Sequence, residues 1–165
     1  MVTLYNVVSA DGYIARENGD EDFIPDTVWN DFLDICREHD LFVTGRKTYE
    51  AIQKYPRQMI KEFEDLDVKK VVVTDDVHFV SKPMYTIAHS PTEAFTLGAN
   101  VLVSSGPTLN TSALEDDLID RVVLNVLPEK IGGGIKVFKS EPNLSLVSEK
   151  EMGGGRKWRV YKVVK

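Results

Sequence analysis

A chain of 165 residues with 42% apolar and 28% charged side chains has the size and make-up of one globular domain, 1–165, which excludes a disordered or fibrous protein. The formal net charge of -6, with Lys and Arg scattered, argues against a nucleic-acid or anionic-membrane surface, and a lone Cys36 excludes an internal disulfide. No thiol or imidazole set stands at zinc-ligand spacing, no basic-then-apolar leader opens the chain, and no apolar run approaches the ~18 residues of a membrane span. A metal-free, cytoplasmic protein is therefore expected.

The chain enters through a strand-like run, Val2 to Val8. It leaves through Ser9-Ala10-Asp11-Gly12-Tyr13-Ile14-Ala15, a glycine turn where a loop can cover a ring and exclude water. Asp11 is a candidate polar contact there, set against the plainer reading of an Asp-Gly turn whose carboxylate bonds the backbone. Thr27 to His39 places Val28, Phe32, Ile35 and Trp29, Leu33, Cys36 on adjoining stripes of a helix, with Asp26 as its N-cap. Three short runs, Leu41 to Thr44, Val71 to Thr74 and Val101 to Ser104, are apolar almost throughout, as in strands buried on both faces of a parallel sheet. Asp120 to Leu127, Leu144 to Glu149 and Trp158 to Val164 then follow without helices between them. The last two are joined by Gly153-Gly154-Gly155, so antiparallel strands are expected to finish an α/β sheet.

Two turns carry candidate chemistry. Gly45-Arg46-Lys47-Thr48 follows a buried strand and opens a helix, so free backbone N–H groups, the Thr48 hydroxyl and two cations converge on a spot suited to a pyrophosphate. Ser104-Ser105-Gly106-Pro107-Thr108 repeats the arrangement after another buried strand. Each alone is also compatible with an ordinary strand-helix turn; together they can clasp one dinucleotide. Gly132-Gly133-Gly134 makes a permissive loop near a substrate or a partner subunit, or a plain turn. His39, His78 and His89 lack metal-ligand company, and Trp29 with Phe32 reads as core or as pocket wall.

The ordered set of Ser9 to Ala15, Phe42 to Glu50, Val101 to Asn110, and Leu118 to Pro128 running into Ile131 to Ile135 and Val137-Phe138 resembles the dihydrofolate reductase-like superfamily. In particular it resembles the reductase domain of the bifunctional deaminase-reductase of riboflavin synthesis. The resemblance implies a three-layer α/β/α fold whose mainly parallel, twisted sheet ends in an antiparallel hairpin. It implies NADPH bound across the turns at Gly45 and Gly106, with nicotinamide near Ala10 and Ala15 and hydride delivered to a small heterocyclic substrate. A helix carboxylate, Asp31 or Asp34, or an ordered water would supply the proton. It also implies a homodimer. The zinc deaminase half of that enzyme is absent.

Departures from that pattern matter. Thr74-Asp75-Asp76 stands where relatives often place Ser or Arg for the 2′-phosphate of NADPH, and a carboxylate there suits a free ribose 2′-hydroxyl, so NADH use is a live expectation. Ser105-Gly106 replaces a common Gly-Gly. The rival readings are a non-catalytic dinucleotide-binding module of the same fold and a nucleotide-binding protein with another phosphate ligand.

Overall fold

Inward-pointing side chains alternate along the short apolar strands and divide the core into two layers, one on each side of a sheet. The computed structural model describes residues 1–165. In chain order it contains β1 (Val2–Val8), β2 (Tyr13–Ala15), α1 (Thr27–Arg37), β3 (Leu41–Gly45), α2 (Arg46–Ile52), α3 (Arg57–Glu64), β4 (Lys69–Val73) and β5 (Tyr85–Ala88). There follow α4 (Pro91–Phe95), β6 (Val101–Val103), α5 (Pro107–Glu115), β7 (Arg121–Val126), β8 (Ile135–Lys136), β9 (Leu144–Gly153) and β10 (Arg156–Val163).

Eight strands form one sheet in the order β5-β4-β3-β6-β1-β7-β10-β9, while β2 and β8 pair separately. The first six run parallel; β10 is antiparallel to β7, and β9 to β10. On one face Leu41, Val43, Val101 and Val103 pack under Ala94, Leu109 and Ala113 of α4 and α5. On the other, Tyr5, Phe42, Val72 and Leu102 pack against Leu33, Tyr49, Ile52 and Phe63 of α1, α2 and α3. The fold is thus α/β with helices on both faces of a mostly parallel sheet that finishes in an antiparallel hairpin. No helix is long and apolar enough to cross a membrane.

Some local expectations fail. Asp26 already has helical angles, φ -60° and ψ -25°, and its side chain makes no capping bond; α1 also ends at Arg37 rather than at His39. His39 instead turns its Nδ1 onto the Ile35 carbonyl at 2.7 Å, closing the helix end. Neither β5 nor α4 was expected. The start of α4 is nonetheless well signalled, because Ser90 Oγ accepts from the Glu93 N–H at 3.1 Å and Pro91 occupies the first turn.

Candidate functional site

The neighbouring parallel strands β3 and β6 send their chains in opposite directions: β3 runs into α2 on the aromatic face, and β6 runs into α5 on the aliphatic face. A crevice therefore opens at their carboxyl ends, the place where open α/β sheets receive ligands. Gly45 and Gly106 stand on its two sides. Thr44 Oγ1 donates to the Ser104 carbonyl at 2.8 Å, and Ser105 Oγ accepts from the Gly45 N–H at 3.0 Å, with Thr48 Oγ1 3.4 Å away. The Ser105 carbonyl is fixed in turn by the side-chain amides of Asn6 and Asn110, each at 3.0 Å. A methyl group at Gly45 would press on Ser105 Oγ, whereas one at Gly106 would meet nothing within 4 Å.

Below these corners lies a cleft of about 350 Å³. Tyr5, Val7 and Phe42 of the sheet line it, with Val28, Trp29 and Phe32 of α1 on one flank and Tyr55, Pro56 and Met59 on another. Thr48, Ser104, Ser105 and Gly106 form its polar head. Trp29 packs at 5.3 Å from Phe32 and edge-on to Tyr55 at 5.9 Å, so the flank is a continuous aromatic surface. Glu21 and Asp26 also line the cleft, and no Lys, Arg or His does. The Tyr55 hydroxyl donates to Glu21 Oε2 at 2.9 Å. Desolvation raises the Glu21 pKa above its ordinary value even though the residue as a whole is exposed, and the Tyr55 bond offsets part of that shift. Burial pushes the Tyr5 and Tyr55 phenols up as well, so both are neutral hydroxyls at physiological pH.

The other sequence-flagged residues take varied positions. Arg46 turns away from the crevice: its guanidinium bonds Glu50 at 3.0 Å and Asp76 at 2.6 Å and lies 5.2 Å from the centre of the Phe79 ring. Lys47 is exposed. Thr74 is buried at the end of β4 and accepts the Asp76 N–H on Oγ1 at 3.2 Å, while Asp75 points to solvent. Pro107 and Thr108 open α5 directly behind Gly106. Ala10 is exposed, its N–H bonded to the Glu129 carbonyl at 2.7 Å, and Ala15 is buried against Gly134; it is Ile14 that reaches the cleft.

Neither proposed acid lines the cleft. Asp11 accepts from Ser9 Oγ at 2.7 Å, from the Gly132 N–H at 2.8 Å and from the Ile131 N–H at 3.1 Å, tying the first loop to the triple-glycine loop. The Ser9 hydroxyl, followed by these backbone donors, holds its carboxyl down at about 2. Asp31 Oδ2 accepts from Asn125 Nδ2 at 2.8 Å and from Arg156 Nε at 3.0 Å, and Oδ1 accepts from Arg156 Nη2 at 3.3 Å. Asn125 Nδ2 lies 3.2 Å from the Tyr5 hydroxyl, so Asp31 connects to the cleft only through Tyr5. Glu21, Tyr55 and Met59 were not singled out by the sequence. They come from loop and helix-start positions with no local pattern, and only the fold gathers them around Trp29.

No family model matches the chain. It is 28% identical over 162 residues to an uncharacterised protein, YwjB, of Bacillus subtilis (strain 168), covering 91% of each. Among solved structures it is similar to a putative riboflavin biosynthesis protein of Shewanella sp. PV-4, with a TM-score of 0.76, 20% identity and 99% of both chains covered. It is also similar to the Thermotoga maritima diaminohydroxyphosphoribosylaminopyrimidine deaminase/5-amino-6-(5-phosphoribosylamino)uracil reductase, with a TM-score of 0.73 and 16% identity. Acinetobacter baumannii RibD gives 0.75 and 16%. This chain spans 56% and 58% of the length of those two proteins. At these identities the likeness establishes the fold: this chain has the dihydrofolate reductase-like fold of riboflavin-biosynthesis reductases.

Proposed function

We propose that this protein is a reductase that takes hydride from a nicotinamide dinucleotide and delivers it to a small heterocycle in the cleft beneath Gly45 and Gly106. The observation that carries this reading is that residues after two neighbouring strand ends, Thr48 behind β3 and Ser104, Ser105 and Gly106 behind β6, form the polar head of one apolar, aromatic-walled cleft. The fit to the coenzyme is strongest at Gly106. Open space there admits a close approach, and the first-turn amides of α5 have no acceptor within their own helix, so they suit a bridging diphosphate. Thr48 and Ser104 would add side-chain oxygens beside it. The coenzyme would supply the hydride.

The chain's own residues would orient the acceptor ring against Trp29 and Phe32 and exclude water from it. The Tyr5 hydroxyl, neutral and held by Asn125, would hold a proton at the cleft floor, with Asp31 and Arg156 positioning Asn125 from behind. Asp75 and Asp76 stand at the end of β4, and Arg46 is engaged by Asp76, which disfavours the extra phosphate of NADPH and favours NADH. Titration with both coenzymes, followed by the nicotinamide absorbance during turnover of candidate heterocycles, tests the reading. Absence of binding by either coenzyme would overturn it.

The occupied Gly45 N–H, which Ser105 has already satisfied, favours the second reading, a dinucleotide-binding module without turnover. Coenzyme binding without substrate-dependent oxidation would select it. A homodimer is also proposed, since β9 is a long, exposed edge strand carrying Leu146 and Val147 in solvent. Mass in solution tests that directly.

A further inference from the structure

Asn18 stands in the loop between β2 and α1, and of the asparagines in the chain it alone is followed by glycine. That order matters chemically. The backbone nitrogen of the next residue can attack an asparagine side chain and close a five-membered imide, and a Cβ on that residue hinders the approach. Gly19 has none, its φ is +88°, and a methyl group built there would meet nothing within 4 Å. Asn18 and Gly19 are both exposed, so water and base reach them.

The turn itself favours the reaction. Asn18 Oδ1 accepts from the Asp20 N–H at 2.9 Å, which folds the side chain back along its own backbone. The same N–H draws electron density from Cγ and is in place for the oxyanion that forms there. Against this, the Gly19 N–H donates to the Arg16 carbonyl at 2.8 Å and must come free before the nitrogen attacks. One exposed bond of that kind slows the step by no more than about tenfold. The other asparagines are placed differently. Asn6, Asn110 and Asn125 are buried, Asn30 lies within α1, and Val101 and Leu144 follow Asn100 and Asn143. Asp11-Gly12, the one Asp-Gly pair, has its carboxylate held by Ser9 and by the Ile131 and Gly132 N–H groups.

We infer that Asn18 is a site of spontaneous deamidation, and that its isoaspartyl product loosens the contact of Glu21 with Tyr55 across the cleft. The deprotonated Gly19 nitrogen bonds to Asn18 Cγ, and Nδ2 takes up a proton and leaves as ammonia. Water then opens the imide at either carbonyl. Breaking the bond from nitrogen to Cγ gives aspartate. Breaking the bond from nitrogen to the main-chain carbonyl carbon gives isoaspartate, whose backbone runs through Cβ and Cγ. Amide and water have become carboxylate and ammonium, and nothing is oxidised or reduced. The isoaspartyl link lengthens the loop by one backbone atom and adds a negative charge beside Glu17, Asp20, Glu21 and Asp22. Two contacts span the altered link: the Arg16 N–H donates to the Asp20 carbonyl at 2.8 Å, and the Arg16 guanidinium pairs with Asp22. Between their far ends lies Glu21, whose Oε2 accepts from the Tyr55 hydroxyl at 2.9 Å. The reaction needs only water, so it stands whether or not the cleft is a reductase site.

The test ages the full chain in mildly alkaline buffer, with and without urea. Peptide mapping follows each asparagine, an isoaspartyl methyltransferase counts isoaspartate, and the indole N–H resonance of Trp29, which packs edge-on to Tyr55, reports the cleft. Asn18 is expected to convert ahead of every other asparagine, at a rate within about tenfold of the urea-unfolded chain, the brake of one hydrogen bond. The Trp29 resonance should shift in step with isoaspartate. Neither change should appear in Asn18→Ser, whose hydroxyl can still accept from Asp20. Folded-state conversion more than about tenfold slower than in urea would show that the turn protects the residue, and overturns the inference. Conversion no faster than at Asn143 also overturns it, as does full conversion that leaves the Trp29 resonance unmoved.

Discussion

Arg156, in the first residue of β10, holds Asp31, in the middle of α1, across 125 positions of sequence by two bonds at 3.0 and 3.3 Å. Both side chains are nearly buried, at 14% and 11% exposure, so solvent screens the pair little. Arg156→Ala would leave Asp31 with only Asn125 as partner. It is expected to lower stability by ~3 kcal/mol in urea unfolding. A loss under about 1 kcal/mol would mean the pair is not structurally important.

Gly134 and Gly106 are expected to respond oppositely to alanine. At Gly134, φ is +154° and a methyl group would stand 2.2 Å from the Ala15 carbonyl oxygen, so Gly134→Ala must shift the β2–β8 pairing. A cost of roughly 1–3 kcal/mol is expected in thermal or denaturant unfolding. Gly106→Ala should leave stability within about 0.5 kcal/mol, because its methyl group meets no atom, yet weaken dinucleotide affinity by blocking close approach. Equal affinities for the parent and Gly106→Ala would remove the diphosphate from that corner.

Acid should loosen the loop tie made by Asp11. Its folded pKa is depressed from 3.8 to about 2, so its stabilising contribution is complete above the unfolded value and is lost as pH falls through the folded one. The difference in stability between the parent and Asp11→Asn should therefore be constant near neutrality and shrink between about pH 4 and pH 2. Amide exchange at Ile131 and Gly132 should accelerate over the same window. A difference that grows toward low pH would reverse the assigned sign.

Releasing Arg46 should change coenzyme choice. In Asp76→Ser the guanidinium loses its 2.6 Å partner, although Glu50 still holds it at 3.0 Å. The ratio of NADPH to NADH affinity is expected to rise by about tenfold, the scale of one added charge-assisted contact together with one repulsion removed. An unchanged ratio would place the ribose 2′ position away from the end of β4.

The layers of the sheet were legible in the sequence because runs such as Leu41 to Thr44 and Val101 to Ser104 are apolar on both faces, and only a central parallel strand needs that. The hairpin was legible from its glycines. Strand β5 was not, since Tyr85 to Ala88 is only four residues long, leaving too little pattern to distinguish it from loop. At the site, Gly45 and Gly106 could be read locally, as strand-end glycines before helices. Glu21, Trp29 and Tyr55 converge from separate segments, and a single sequence carries no local trace of that meeting. The same reason hides the partner of Asp31: helix periodicity places a carboxylate on α1, but nothing near it names an arginine 125 residues away.

The Ser105 hydroxyl that stitches β3 to β6 also sets how the crevice responds to an incoming molecule. With the Gly45 amide already satisfied and the Ser105 carbonyl clamped by two asparagines, the rim is rigid before anything arrives. A visitor therefore finds a finished mould, and little conformational entropy is left to lose on association. Discrimination among ligands then falls to shape and charge at the aromatic end, where Glu21 and Tyr55 come from two separate loops.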